Sequence, residues 1–206
     1  LHSFPTRRSS DLHIVPIGAG NWLRLHPEDR IKTAYSSWSF GPNTRRMPEF
    51  TAPGLGRESN AVTIDLDMKA GASGVIYALG GAGGGLTLYM DQGRLVYLYN
   101  MMIIEQYTAR SPTPLAAGRH EIKVITDIEG PGKAGTATLI VDGQEVGKAD
   151  LKRTVPLAFT ASETFDVGAD LGSTVSLDYL EQRPFPFEGQ IHTVKVALKW
   201  IGRAHV

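Results

Sequence analysis

Asn60–Met68, NAVTIDLDM, decides the fold class of this chain. Val62, Ile64, Leu66 and Met68 alternate with Thr63, Asp65 and Asp67. A strand sends successive side chains to opposite faces, so the segment predicts a β-strand with one buried face. The same period recurs on either side, broken by turn residues. Ser73–Leu79, Leu86–Met90 and Arg94–Asn100 predict further strands, the last two joined through Asp91-Gln92-Gly93, whose glycine suits a left-handed turn position. Ile103–Ala109 predicts another, ended by the loop carrying Pro112 and Pro114, because proline cannot donate to a ladder. Downstream, His120–Ile128 and Thr136–Val141 lead into Asp142-Gly143, a tight-turn dipeptide, and then Glu145–Leu151. Leu157–Thr160, Thr164–Val167 and Gln190–Leu198 complete the series. No stretch longer than about ten residues carries a 3.6-residue apolar period. The expected fold class is therefore all-β, an antiparallel β-sandwich of short strands with regular turns.

Composition sets the outer limits. Of 206 residues, 42% are hydrophobic and 20% charged, and none is cysteine. That is an ordinary globular balance, with no disulfide framework and no thiolate metal site. Leu1–Leu12, LHSFPTRRSSDL, and Ile201–Val206, IGRAHV, resemble translated sequencing adapters and are set apart as artefact. Leaving out Arg7, Arg8, Arg203 and Asp11 turns the 21 basic and 21 acidic residues into 18 and 20, a net charge of about −2. Nucleic acid is then not an expected partner, since its binding rests on a basic surface. The longest apolar runs, such as Leu95–Leu98, fall far short of the roughly 20 residues that span a bilayer, so no membrane role is expected.

Gly80, Gly81, Gly83, Gly84 and Gly85 could suggest a phosphate cradle, but they join two strands and no Lys-Ser/Thr follows, which favours a tight turn. His26, His120 and His192 have no partner at metal-ligand spacing. Asp166, Asp170 and Asp178 match no fixed calcium loop and read as turn and capping aspartates, so no metal site is expected. Asp65 and Asp67 share a strand face without the further carboxylate a glycosidase needs, and read as a solvated face. Tyr97 and Tyr99 fall on one strand face, with Thr87 and Tyr89 on the hairpin neighbour. Tyr89, Tyr97 and Tyr99 are therefore candidate substrate-binding residues that could stack on sugar rings, with cross-strand packing as the alternative.

Two blocks of sequence carry a resemblance. Phe187-Glu188-Gly189-Gln190-Ile191, an aromatic and a glycine before the last strand, is similar to the closing strand of jelly-roll domains of the concanavalin A-like or laminin-G-like kind. Ile17–Pro53, with LGGAGGGLTLYM at Leu79–Met90, LVYLYNMM at Leu95–Met102 and KRTVPLAFTASETFDVGADLGSTVSLDY at Lys152–Tyr179, resembles the C-terminal β-sandwich region of large bacterial arylsulfatases. The resemblance implies residues 13–53 as an extended linker from a missing sulfatase catalytic domain and residues 54–200 as the sandwich. It implies that calcium and formylglycine belong to that missing domain and that this chain has no cofactor and no catalytic residue. Ser3-Phe4-Pro5-Thr6-Arg7 matches the short Cys/Ser-x-Pro-x-Arg signature but lies inside the adapter-like segment and is rejected.

The expected function is accordingly a non-catalytic arylsulfatase domain serving interdomain packing or oligomer assembly, with a carbohydrate-binding lectin-like module as the alternative. The expected partners are the parent's catalytic domain, a second copy of the chain, or a glycan. Trp22, Trp38, Arg45 and Arg46 are candidate interdomain contacts because tryptophan and arginine dominate interface hot spots; wrapping of the chain's own sandwich by this arm is the equal alternative. For the bacterial parent, a periplasmic or secreted location is favoured over the cytoplasm.

Overall fold

Two six-stranded sheets lie face to face, their named strands all paired antiparallel. The computed structural model describes residues 35–160 and 162–199. In chain order the strands are β1 Ser37–Phe40, β2 Met47–Pro48, β3 Asn60–Met68, β4 Gly74–Gly81, β5 Gly84–Asp91, β6 Arg94–Met101, β7 Glu105–Arg110, β8 Gly118–Ile128, β9 Gly135–Val141, β10 Gln144–Leu151, β11 Thr164–Val167 and β12 Gly189–Leu198. The first sheet runs β1-β12-β3-β8-β9-β10 and the second β2-β11-β4-β5-β6-β7.

The two sheets bury their strands differently. In the first, β3 alternates strictly, with Val62, Ile64, Leu66 and Met68 in the interior and the residues between them partly exposed. Ile122 and Val124 of β8 and Val194 and Val196 of β12 continue the same inner rows. In the second sheet, every residue of β4 and all but one in each of β5 and β6 is buried. Leu79, Leu86, Leu88, Tyr97 and Tyr99 fill the shared interior. On the opposite face, Val75, Tyr89, Val96 and Leu98 pack against Val175, Tyr179 and Phe185. These last three belong to the segment between β11 and β12, which holds a 3₁₀ turn at Leu177–Gln182 and lies over the sheet as a strap.

Apart from Leu157–Thr160 the predicted strands are present, Asn60–Met68 and Thr164–Val167 with unchanged bounds and the others shifted, and the differences have local causes. Leu157–Thr160 is a loop crossing between sheets, because its polar groups are taken by side chains. The Glu49 carboxylate accepts from the backbone N–H of Phe159 at 2.6 Å and of Thr160 at 2.8 Å, and Arg57 donates to the Leu157 carbonyl at 2.8 Å. Burial pushes the Glu49 carboxyl up in pKa against the opposing effect of those bonds. The strand expected from Ile103 begins at Glu105 instead, since Met102 and Ile103 form the β6–β7 turn with φ of 51° and 66°.

Ser37–Phe40 and Met47–Pro48, expected inside a linker, are edge strands of the first and second sheets. Trp38, Phe40 and Met47 pack on the core, so one arm finishes both sheets on the same side. On the other side β7 and β10 come together at Gly147, where a Cβ would stand 2.9 Å from the Arg110 carbonyl oxygen. Only glycine permits that approach.

Gly80 is a sharper case. Its φ is +90°, and a Cβ there would fall 2.4 Å from the carbonyl oxygen of Gly84, whereas Gly83 in the same hairpin has nothing within 4 Å. Gly80→Ala is expected to lower unfolding free energy by more than about 1 kcal/mol, and Gly83→Ala to change it by less than about 0.5 kcal/mol. Urea unfolding midpoints of the two variants check this; equal midpoints would contradict the packing described.

Candidate functional site

The outer face of the first sheet is the exposed side of β3, β8 and β12, and the alternation that fills the core also decides what stands there. Register places Thr63 opposite Lys123 on one side and Lys195 on the other, and Asp65 opposite Glu121 and Thr193. Two recesses open on this face. One, of about 430 Å³, is lined by Thr63, Asp65, Arg119, Glu121, Thr193 and Lys195 among others. The second, of about 420 Å³, is lined by Ser37, Ser39, Ala61, Thr63, Lys195 and Ala197 among others. They share Thr63 and Lys195, so together they form a groove across β1, β12, β3 and β8, floored largely by small residues. A recess of about 670 Å³ at Asp67–Ala70 and Glu188–Gln190 extends the same side toward the end of β3. It is bounded mainly by loops and carries fewer oriented polar groups, so the chemistry concentrates in the groove.

The central pair is Arg119 and Asp65. Nε and Nη2 of the guanidinium donate to the two carboxylate oxygens at 2.8 and 2.7 Å. Hydrogen bonding to Arg119 holds the Asp65 carboxyl below its ordinary pKa and raises that of the guanidinium. A guanidinium has five N–H donors and this fork uses two, leaving three; each carboxylate oxygen keeps a lone pair. The pair therefore presents donors and acceptors side by side in a fixed plane. Around it, Lys123 Nζ meets Glu121 Oε1 at 2.6 Å and His192 Nε2 meets Asp67 Oδ2 at 2.7 Å.

The candidate tyrosines stand elsewhere. Tyr97 and Tyr99 are 1% and 0% exposed and face the interior between the sheets. Tyr99 donates to the Gly56 carbonyl at 2.7 Å and accepts from the Val155 N–H at 2.8 Å, tying two loops to β6. Tyr89 points to the opposite face of the sheet from these two, beneath the strap, with its ring against Tyr179 and Phe185 and its hydroxyl donating to Asp178 at 2.6 Å. The three do not form a sugar-stacking surface, because each ring is buried, two between the sheets and one beneath the strap.

Of the candidate interdomain residues, Trp38 packs against the chain's own core, Arg45 and Arg46 are exposed, and Trp22 lies outside the described residues. His26 and Ser3–Arg7 also lie outside them. Asp166 accepts from the Arg46 N–H at 2.6 Å and the Thr164 hydroxyl at 2.8 Å, and Asp170 from the Val175 N–H at 2.9 Å and the Tyr179 hydroxyl at 2.8 Å. These carboxylates order turns, and among the described residues no group of three or more His, Asp or Glu is arranged to hold a metal ion. Sequence reading missed Arg119 and Lys195, whose only signal is their place on the polar side of alternating strands.

No protein-family model and no curated protein sequence matches the chain. Its fold is similar to solved structures. The CBM40 module of the Ruminococcus gnavus IT-sialidase, bound to α2,3-sialyllactose, superposes with a TM-score of 0.54 at 14% identity, covering 79% of this chain and 89% of that one. Domains LG4-5 of the mouse laminin α1 chain give a TM-score of 0.52 at 14% identity, covering 82% of this chain and 46% of that one, so the chain spans about half of that fragment. The fold is thus an antiparallel jelly-roll sandwich of the lectin-like class. Neither of the two is a sulfatase.

His120 closes one corner of the groove. Its Nδ1 lies 2.7 Å from Asp142 Oδ2 and its Nε2 2.9 Å from the Ala116 carbonyl, two acceptors that only a doubly protonated ring can serve together. Burial works against the charge, but the Ala116 carbonyl and the Asp142 carboxylate outweigh it and raise the pKa above 6.5, with Asp67 adding to the same field. Burial likewise works against the Asp142 charge, and the bonds from His120 and the Glu121 N–H override it, taking the carboxyl below 3.8. The histidine contribution is complete below its unfolded value and is lost as pH rises through the raised folded value. The aspartate contribution is complete above its unfolded value and is lost as pH falls through the depressed one. His120→Gln is therefore expected to destabilise more at pH 5.5 than at pH 8.5, by under about 1 kcal/mol for so solvated a pair. Urea titrations at the two pH values check it; an equal loss at both would contradict the charged clasp.

Proposed function

We propose that the chain is a carbohydrate-binding module without catalytic action of its own, and that saccharides lie in the groove on the outer face of the first sheet. The observation that carries this reading is the Arg119–Asp65 fork standing beside a floor of small, largely hydroxylated residues. A sugar ring offers hydroxyls that donate and accept at once, in a flat outline. Small side chains leave room for the ring, and a fork already held in plane gives oriented partners at little further loss of side-chain freedom. The fold supports the class, since the CBM40 module holds a saccharide on a similar sandwich.

A panel of immobilised neutral and charged oligosaccharides tests the reading. At least one should retain the protein, and Arg119→Ala should weaken that retention about tenfold or more, as expected for loss of charge-assisted hydrogen bonds. Arg119 is exposed, so thermal unfolding should change little. A blank panel, or retention indifferent to both Arg119→Ala and Asp65→Ala, would sink the proposal.

The arylsulfatase resemblance gives a second, compatible reading: the module is carried by a sulfatase, with the parent's calcium and formylglycine in the other domain. Of the quoted blocks, Leu79–Met90, Leu95–Met102 and Lys152–Tyr179 hold parts of the second sheet and the strap, while Ile17–Pro53 includes β1, which edges the groove on the first sheet. Arg45 and Arg46 are exposed and available for contact with such a neighbour or a second copy. The reading frame upstream in the genome should encode a Cys/Ser-x-Pro-x-Arg signature; a frame without it would remove the parent.

A further inference from the structure

We infer that the groove selects saccharides bearing an anionic substituent, a carboxylate or a sulfate ester, seated over Thr63 between Lys195 and Lys123. The inference rests on the glycan reading and adds its ligand class. The register row across β1, β12, β3 and β8 is Ser39, Lys195, Thr63, Lys123, and it runs on through Ile140 to Glu145 at the far edge. Neighbouring strands lie about 5 Å apart, so the two lysines flank one hydroxyl at roughly that spacing on each side.

Of the other cations at the groove, Arg119 is held by Asp65 and Lys123 by Glu121. Neither the Lys195 ammonium nor the Thr63 hydroxyl has a hydrogen-bond or ion-pair partner among the described residues. Asp65 feels the field of Lys195 but already has both oxygens on Arg119. The junction of the two recesses therefore carries one uncompensated positive charge beside a free hydroxyl.

Lys123 can join it. Its bond to Glu121 is between exposed side chains, 39% and 55% accessible, and such pairs contribute little. Turning the ammonium toward an anion over Thr63 exchanges one solvated pair for another. An uncharged sugar would leave Lys195 to water, gaining nothing from it. A carboxylate or sulfate oxygen would accept from Lys195, Thr63 and Lys123 while the ring hydroxyls meet Arg119 and Asp65.

Isothermal titration of the full chain with lactose, 3′-sialyllactose and 3′-sulfolactose tests this. At low salt the two anionic sugars are expected to bind about fivefold or more tightly than lactose. That advantage should vanish in Lys195→Gln, shrink in Thr63→Val, and fall with added salt, while lactose binding stays level. The carboxylate and sulfate arms show which anion the site takes. Equal affinity for all three sugars, or an advantage that survives Lys195→Gln combined with Lys123→Gln, overturns the inference; in those cases binding abolished by Arg119→Ala leaves the glycan reading standing. Absence of binding to all three also overturns it, and takes the glycan reading with it if the immobilised panel is blank as well.

Discussion

One interior serves two sheets, and the side chains of every strand must be divided between it and whatever lies on the other side. That constraint organises the rest of the molecule. In the first sheet the other side is water, so Val62, Ile64 and Leu66 go in while Thr63, Asp65 and Asp67 come out. In the second sheet the other side is the strap between β11 and β12, and both sets of side chains are apolar. The strap leaves only a small polar recess on its side, about 280 Å³ at Asp91, Arg110 and Asp178, so the broad polar face is that of the first sheet. The place of the groove thus follows from the same burial that supplies most of the driving force for folding.

The difference between the sheets is written in the sequence, but in a form that strand prediction does not need. NAVTIDLDM alternates, whereas GVIYALGG and RLVYLYNM run nearly unbroken in apolar residues. Unbroken runs mark strands buried on both faces. Tyr97 and Tyr99 do share one face, and of the two readings of that face the structure has the packed one, because Leu95, Val96 and Leu98 leave no polar side for the strand to show water. Tyr89 was grouped with them across the hairpin, yet it pairs with Val96, and Leu88 is the partner of Tyr97. Hairpin pairing fixes the face only once the register is known, and a slip of one residue inverts it.

The short edge strands were harder to read. Met47–Pro48 contributes two residues and Ser37–Phe40 four, too few for periodicity to rise above a loop. Their pairing comes from distant partners, Lys195 for Ser39 and Phe165 for Met47. Leu157–Thr160 fails in the opposite sense: its apolar residues suit a strand, but the Glu49 carboxylate and Arg57 capture the backbone groups a ladder would need. In both cases a contact made across a hundred residues or more overrides the local pattern, and local pattern is all a single sequence shows.

The groove itself sits between these extremes. Asp65 and Asp67 were legible as a solvated face, and the strands that carry Arg119 and Lys195 were legible as strands. What was not legible is that residues 54 and 132 positions away come to stand beside Asp65 and Thr63, which only the order β12-β3-β8 decides. Because the groove side chains point away from the interior, their loss removes few core contacts, and effects on binding should separate from effects on stability, as they do for sites without shared partners. The exception is Thr63, whose neighbours in the row are two cations. Of these, Lys123 is paired with Glu121, whereas Lys195 has no carboxylate of its own. In the proposed site, Lys195 would discriminate among ligands by charge, while the fork of Arg119 and Asp65 would offer hydrogen bonds to any suitably placed pair of hydroxyls.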